Sequence, residues 1–294
     1  MILMRKIGPP NRPTPQNRSA SRSQAGPLPG FGPALGLTVF WLSAIILIPL
    51  SAVFLRAAGL SLDEIAARAF SGRALAAYRL SFGGSLAAAM ISSLLGLVVA
   101  WVLVRYDFPG KRLADAIVDL PFALPTAVAG IALTALTAPN GWIGAPLAAL
   151  GLHIAFTPAG VIVAMVFIGL PFVVRTIQPV LEDLDREIEE AAASLGAGRW
   201  QTLRRVIMPV LAPAISAGFA LAFARGVGEY GSVIFIAGNM PGISEIAPLL
   251  IVISLEQYDY AGASAIAAVM LVASFILLLL VNGLDARRRN AMER

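Results

Sequence analysis

The stretch LSFGGSLAAAMISSLLGLVVAWVLV, residues 80–104, decides the fold class, because no charged side chain interrupts it. A helix that crosses a bilayer needs about 20 mostly apolar residues. The apolar residues run continuously and do not alternate in a period of two, which favours a helix over a strand of a membrane barrel. Residues 80–104 therefore predict a membrane-spanning helix.

Similar stretches on both sides extend this prediction to an all-α polytopic membrane protein with six transmembrane helices. The apolar run over 120–174 is too long for one span, and Pro139-Asn140-Gly141 is a strong turn signal inside it. Arg225 and Glu229 fall inside the fifth predicted span. The membrane domain is predicted over 34–284, with spans at about 34–55, 80–104, 115–137, 160–176, 208–236 and 262–284.

The composition agrees with a chain that lies mostly in lipid. The residues are 58% hydrophobic and 13% charged, with a mean hydropathy of +0.80, whereas soluble domains carry roughly 25% charged residues. The net charge of +5 comes from basic residues at the ends of apolar segments, so we expect lipid and no nucleic acid as a partner. No cysteine and a single histidine, His153, argue against a metal site, a catalytic triad and a membrane-embedded enzyme.

The placement of the basic residues predicts the orientation. Most of the 22 Lys and Arg residues lie in the two tails, between the second and third spans, or between the fourth and fifth spans. Basic residues are enriched on the cytoplasmic side of membrane proteins. Both termini are therefore predicted in the cytoplasm, with a disordered basic tail over 1–33 and a short tail over 285–294. The predicted outer segments carry Arg56, Arg68, Arg73 and Arg79.

A charged loop over 177–207 stands out between the fourth and fifth spans. Its apolar residues follow helical spacing from Ile188 to Leu195, and Asp185 is a candidate N-cap. Gly196-Ala197-Gly198 is expected to end this helix, because glycine tolerates a left-handed backbone. A second short helix with Trp200 on one side follows and leads to Pro209. The loop is predicted to form two short helices on the cytoplasmic face.

This loop resembles the signature of binding-protein-dependent importer permeases. That signature has Glu-Ala-Ala, three residues, Gly, nine residues, and then Ile-x-Leu-Pro. Here Glu190-Ala191-Ala192 is followed by Gly196 at the same spacing, and Val206-Ile207-Met208-Pro209 closes the pattern. Val206 and Met208 replace Ile and Leu, which are conservative changes. The resemblance implies the type I permease fold of an ABC importer.

Four further stretches resemble the T-type permease of sulfate/thiosulfate importers. They are Leu120-Pro-Phe-Ala-Leu-Pro-Thr126, Ala138-Pro-Asn-Gly-Trp-Ile-Gly144, Gly228-Glu-Tyr-Gly-Ser232 and Leu255-Glu-Gln-Tyr-Asp-Tyr260. The likeness extends from about residue 34 to 282. The W-type sulfate permease and the molybdate permease share the fold and the loop. Molybdate, tungstate or another oxyanion, and a scaffold role in a membrane complex, stay as alternatives.

The resemblance implies that this chain is the non-catalytic subunit of an ATP-driven sulfate translocase in the bacterial inner membrane. The expected partners are two ABC ATPase subunits, a second permease of the W type, and a periplasmic sulfate/thiosulfate-binding protein. The chain has no G-x-x-x-x-G-K-[ST] phosphate loop, so ATP-Mg is expected in the ATPase partner and no cofactor in this chain. The loop residues expected to couple to the ATPase are Glu190, Ala191, Ala192, Gly196, Ala197 and Pro209.

Two sets of residues are candidates for the translocation path or gate. Arg225 and Glu229 are four residues apart, so they share a helix face and can pair. Charges inside a membrane are candidates for function, although a structural ion pair explains them equally well. Pro121 and Pro125 free backbone carbonyls in the third span. They are interpreted either as a gate element or as a simple helix bend.

Overall fold

The structure, a computed structural model, describes residues 31–292, and the tail predicted over 1–33 lies almost entirely outside them. The described residues form helices, turns and loops without any strand, which confirms the all-α prediction. Their helices are α1 Phe31–Ala58, α2 Leu62–Ala69, α3 Gly72–Arg105, α4 Lys111–Val118, α5 Leu120–Ala123, α6 Thr126–Thr137, α7 Gly144–Ala149, α8 Pro158–Glu182, α9 Arg186–Ser194, α10 Arg199–Thr202, α11 Met208–Val227, α12 Val233–Ile236, α13 Ala247–Glu256 and α14 Tyr260–Met292.

Five helical stretches between residues 31 and 292 are long and apolar enough to cross a membrane. They are Phe31–Ala58, Gly72–Arg105, Pro158–Glu182, Arg199–Val227 and Tyr260–Val281. Each overlaps one of the six predicted spans. The remaining predicted span contains α6, whose 12 residues reach only about 18 Å at 1.5 Å per residue. The count of six crossings and the side of each terminus stay predictions.

The prediction of one continuous helix over 115–137 is wrong. The segment consists of α4, α5 and α6, and Leu124 between the last two has an extended backbone with φ −84° and ψ 136°. The residue before a proline is disfavoured in the helical conformation, and Pro125 follows Leu124 directly. The predicted bend at the two prolines is therefore a full break in the helix.

The prediction that the fifth helix continues to residue 236 is also wrong. Helix α11 ends at Val227, and the chain then turns through Gly228 to Ser232 before the short helix α12. At the other end of α11, a π-helical turn, Leu203–Ile207, joins α10 to α11. Pro209 follows this turn, and its ring would clash with the Arg205 carbonyl in a regular α-helix. The wider π turn relieves that clash, so the helix runs unbroken past Pro209.

The core lies between α3, α8 and α11, which pack together along much of their length. Small residues allow the close approach, as is usual between membrane helices. A Cβ added at Gly96 of α3 would lie 2.7 Å from Val173 of α8, and one added at Gly218 of α11 would lie 3.0 Å from the Val173 Cα. Residues from Ala52 onward form one compact unit, and the first part of α1, up to Ser51, is a unit of its own.

The predicted outer segments contain a capped helix, a tight turn and two further short helices. Ser61 and Glu64 form a reciprocal capping box at the start of α2. The Glu64 carboxylate accepts hydrogen bonds from the Ser61 backbone N–H and hydroxyl. Both bonds lower the pKa of Glu64, and the backbone N–H has the larger effect. At Pro139 the chain makes the predicted turn, in which the Gly141 N–H donates to the Ala138 carbonyl at 2.7 Å. Helix α7 lies between the predicted third and fourth spans, and α13 lies between the predicted fifth and sixth spans.

Ion pairs hold the predicted outer segments together. The Arg73 guanidinium donates two hydrogen bonds to the buried Glu245 carboxylate, at 2.7 and 2.6 Å. Arg68 at the end of α2 pairs with Asp259 at 2.7 Å. Asp259 also accepts a hydrogen bond from the Gly262 N–H in the first turn of α14. Two of the four outer arginines predicted from sequence, Arg68 and Arg73, are therefore neutralised in pairs that join distant elements.

Candidate coupling hairpin and candidate pore elements

The hairpin, residues 186–202, consists of α9, a tight turn and α10. Asp185 occupies the N-cap position of α9, but its side chain makes no capping hydrogen bond; its backbone carbonyl accepts from the Ile188 N–H at 3.2 Å. Leu184, directly before it, is buried and fixes the entry of the chain. The two short helices predicted in the loop are thus present, with α9 over residues 186–194.

Gly196 ends α9 in the way that the sequence predicted. Its φ is +86°, in the left-handed region. The Gly196 N–H donates to the Ala193 carbonyl at 2.9 Å, and the Ala197 N–H donates to the Ala192 carbonyl at 3.0 Å. These two bonds form a Schellman motif, which satisfies carbonyls at the helix end. Glycine is needed here because a left-handed backbone costs other residues roughly 1–2 kcal/mol.

The outer surface of the hairpin carries exposed apolar side chains. Ile188 is 46% exposed, Leu195 is 89% exposed and Trp200 is 72% exposed. Glu190 and Ala191 are exposed on the same short helix. Apolar side chains exposed together indicate a surface for interaction. Of the other residues predicted to couple, Ala192 and Ala197 are half-buried, Gly196 is exposed, and Pro209 is exposed in the first turn of α11.

Glu189, which the sequence did not single out, lies next to Glu190 but its side chain reaches toward α3. Its Oε1 accepts a hydrogen bond of 2.5 Å from Nη2 of Arg105, the last residue of α3. Beside this pair lies a cleft of about 370 Å³, lined by Trp101, Glu189, Ala193, Ala197, Arg199, Thr202, Leu203 and Ile207. The inner face of the hairpin therefore contacts the end of a spanning helix through an ion pair.

Arg225 and Glu229 form the ion pair that their spacing predicted. Glu229 is only 2% exposed, and its other oxygen accepts hydrogen bonds from the Ser232 N–H and hydroxyl, both at 2.9 Å. Arg225 remains about one third exposed. The carboxylate thus fixes the turn between α11 and α12, while the guanidinium is left partly accessible.

The two helix breaks lie against each other. A Cβ added at Gly130 of α6 would lie 2.7 Å from the Ser232 Cα, and one added at Gly231 would overlap Thr126 Oγ1. The break at Leu124–Pro125 is therefore adjacent to the turn at Gly228–Ser232. The structure brings the two candidate gate groups, Pro121 with Pro125 and Arg225 with Glu229, into neighbouring segments.

A second network, also missed from sequence, joins α8 to the broken third segment. Arg175 of α8 donates to both oxygens of Asp119 at 2.8 and 2.6 Å, and to Asp115 Oδ1 at 2.7 Å. Gln178 accepts a further hydrogen bond from Arg175 at 2.6 Å. Asp119 is therefore bound to Arg175 through both of its carboxylate oxygens. Among the side chains that the structure describes, no group of three or more His, Cys, Asp or Glu is placed to hold a metal ion.

These features define a class of protein: a multi-pass membrane component with broken helices and a charged hairpin that carries exposed apolar side chains. The family model for the inner membrane component of binding-protein-dependent transport systems matches residues 92–290. The sulfate transport system permease protein CysT of Synechococcus elongatus is 53% identical over 84% of this chain and 89% of its own length. CysT of Escherichia coli is 46% identical over 88% of this chain and 94% of its own length.

The fold comparison agrees with the family. A bacterial alginate ABC transporter, solved in complex with a periplasmic protein bound to an alginate pentasaccharide, contains a chain that matches 87% of this one, with a TM-score of 0.71 and 17% identity. The match covers 93% of that chain. Our chain belongs to the family of binding-protein-dependent transport system inner membrane components. It is therefore a non-catalytic transmembrane subunit with the ABC importer permease fold.

Proposed function

We propose that this chain is the T-type permease subunit of an ABC importer that carries sulfate and thiosulfate across the bacterial inner membrane. The observation that carries the proposal is the identity of 46–53% to sulfate transport permeases over most of the chain. Identity at this level covers the broken third segment and the turn after α11, where a path for an anion would run. Arg225, about one third exposed, is a cation in that region.

Energy for transport would come from partner subunits. We propose two ABC ATPase subunits that hydrolyse ATP-Mg, a second permease of the W type, and a periplasmic sulfate/thiosulfate-binding protein. The family description, which makes transport dependent on a binding protein, supports the last of these. The exposed apolar side chains Ile188, Leu195 and Trp200 support docking of the hairpin to the ATPase.

The mechanism follows from where the hairpin is attached. Closure of the ATPase pair around ATP would move the hairpin, with Glu190, Ala191 and Gly196 at the contact. Because α10, the π turn and α11 are continuous, this motion passes directly into a spanning helix. That helix ends beside the break in the third segment, so its rotation would open or close the path between the two breaks. Affinity for the anion would reside in the binding protein, since a tight site in the permease would trap it.

Growth on sulfate tests the proposal. A bacterial strain that lacks its own T-type permease should regain growth on sulfate as sole sulfur source when this chain is expressed with its cognate partners. Cysteine should support growth with or without the chain, which controls for general fitness. If growth on sulfate is not restored but the strain gains molybdate or tungstate uptake, the alternative cargo is correct. If no oxyanion is taken up by a correctly inserted complex, a scaffold role replaces transport.

A further inference from the structure

Two adjacent glutamates of α9 face different surroundings. Glu190 is exposed, together with Ala191. The Glu189 side chain is 32% exposed and reaches inward to α3. Successive residues on an α-helix point about 100° apart, because the helix has 3.6 residues per turn. The Glu190 carboxylate is thus available to a docked partner, whereas the Glu189 carboxylate is bonded to Arg105 of α3.

Arg105 is held in place from both sides. Its side chain is only 11% exposed, and its Cζ lies 5.7 Å from the centre of the Trp101 ring, one helical turn earlier. A guanidinium over an aromatic face is attracted by the ring. Arg105 therefore cannot follow α9 freely: a displacement of Glu189 acts on the last turn of α3 as a whole.

The pair connects the hairpin to the core of the bundle. Among the side chains that the structure describes, the Glu189–Arg105 hydrogen bond is the polar contact between α9 and a spanning helix. Helix α3 in turn packs closely on α8 at Gly96 and on α11 at Gly226, where an added Cβ would lie 3.1 Å from Ser85 Oγ. Motion delivered to Arg105 is thus passed to α11, which carries Arg225, and to α8, whose Arg175 is bonded to Asp119 directly before α5.

The geometry of the pair is incomplete. Arg105 Nε is buried and has no hydrogen-bond partner, because only Nη2 contacts the carboxylate. A buried donor without a partner is costly, and an arginine can present Nε and Nη2 side by side to one carboxylate. If the pair only stabilised a fixed structure, we would expect both Nε and Nη2 of Arg105 to donate to the Glu189 carboxylate. The unfilled donor indicates a contact that has room to tighten when α9 moves.

We propose that Glu189 and Arg105 form a positioning pair that transmits the motion of the hairpin to α3, alongside the continuous α10–α11 path. The proposal rests on the proposed function, since it presupposes ATP-driven movement of α9. It assigns a role to Glu189 that differs from the docking role of Glu190.

The test compares four variants of the complete complex in proteoliposomes: Glu189→Gln, Arg105→Gln, the swap Glu189→Arg with Arg105→Glu, and the control Glu187→Gln. Sulfate uptake and ATP hydrolysis are measured together and normalised to folded complex. Glu189→Gln and Arg105→Gln should each hydrolyse ATP but move about fivefold less sulfate per ATP, which is the low end of ordinary coupling between sites. The swap should recover at least half of the lost coupling. Glu187, an exposed acid of the same helix, should be replaceable without effect.

Three results would overturn the transmitting role of Glu189 and Arg105, and a fourth would overturn the proposed function as well. Normal sulfate transport per ATP in Glu189→Gln, with wild-type transport intact, overturns the pair and leaves the proposed function standing. A loss of folded complex with unchanged coupling in what remains, or a swap no better than the single variants, also overturns the transmitting role. If the wild-type complex moves no oxyanion on ATP hydrolysis, the proposed function fails and this inference fails with it.

Discussion

Gly196 and Gly198 lie two residues apart in the hairpin turn, but their backbones make different demands. Gly196 has a φ of +86°, which is strained for any residue with a Cβ. Gly198 has a φ of −71° and a ψ of 158°, a conformation that all residues adopt. Neither has an atom within 4 Å of the position where a Cβ would stand. Because neither position is crowded, a comparison of the two glycines isolates the effect of the left-handed backbone at Gly196.

We expect Gly196→Ala to destabilise the hairpin and Gly198→Ala to leave it almost unchanged. The left-handed backbone should cost the alanine about 1–2 kcal/mol. Backbone amides of residues 191–197 should then exchange with deuterium roughly 5–30 times faster, as measured by mass spectrometry. Equal exchange in both variants would contradict the structural reason given for Gly196.

Single ion pairs differ in how far they could be predicted. The Arg225–Glu229 pair follows from spacing along one helix, and it is present. The pairs of Glu189 with Arg105 and of Asp119 with Arg175 join residues 84 and 56 positions apart. No local period links such positions, since their meeting depends on how whole helices pack. The sequence therefore indicated the motif glutamate, Glu190, but not the neighbour that contacts α3.

At the level of helices, apolarity predicted where helices occur but not where they end. The ends of the third and fifth predicted spans depend on backbone chemistry that hydropathy does not register. Leu124 is apolar and lies in a helix-favouring run, yet Pro125 forces it into an extended conformation. Gly228 ends α11, and the Glu229 carboxylate then accepts from the Ser232 N–H. Both breaks are thus local departures from helical structure inside segments that are mostly apolar.

The contact between α6 and the turn before α12 makes a prediction for Gly130. Gly130→Ala places a Cβ against the Ser232 backbone, which cannot yield as a flexible side chain would. We expect a loss of about 1–3 kcal/mol, as for other overpacked cores, seen as a lower unfolding temperature of the purified protein in detergent.

Gly83→Ala is the matched control for Gly130→Ala. Gly83 also lies within a helix, α3, but has no atom within 4 Å of an added Cβ. Replacing it should be neutral or stabilising by roughly 0.5–1 kcal/mol, because alanine favours the helix more than glycine does. If both variants shifted the unfolding temperature alike, the close approach of the two helix breaks would be in doubt.

For the whole molecule, the sequence predicts which side of the membrane each segment faces, and cysteine labelling tests this directly. The chain contains no cysteine, so one introduced thiol reports one position. Ser194→Cys in the hairpin should resist a membrane-impermeant maleimide added outside intact cells. Asn140→Cys in the predicted outer turn should react. Both positions are exposed in the structure, so a difference in labelling reflects sidedness. Reaction of Ser194→Cys from outside would refute both the topology and the docking of the hairpin to a cytoplasmic ATPase.

The length of α3 has a consequence for how such a molecule changes state. Its 34 residues make a rod about 51 Å long, at 1.5 Å per residue. If such a rod tilts by about 5° around its middle, each tip travels about 2 Å in opposite directions. A lever of this kind needs no hinge: the swing that narrows one mouth of a channel widens the other. One helix of this length is then enough to make the two mouths open in turn.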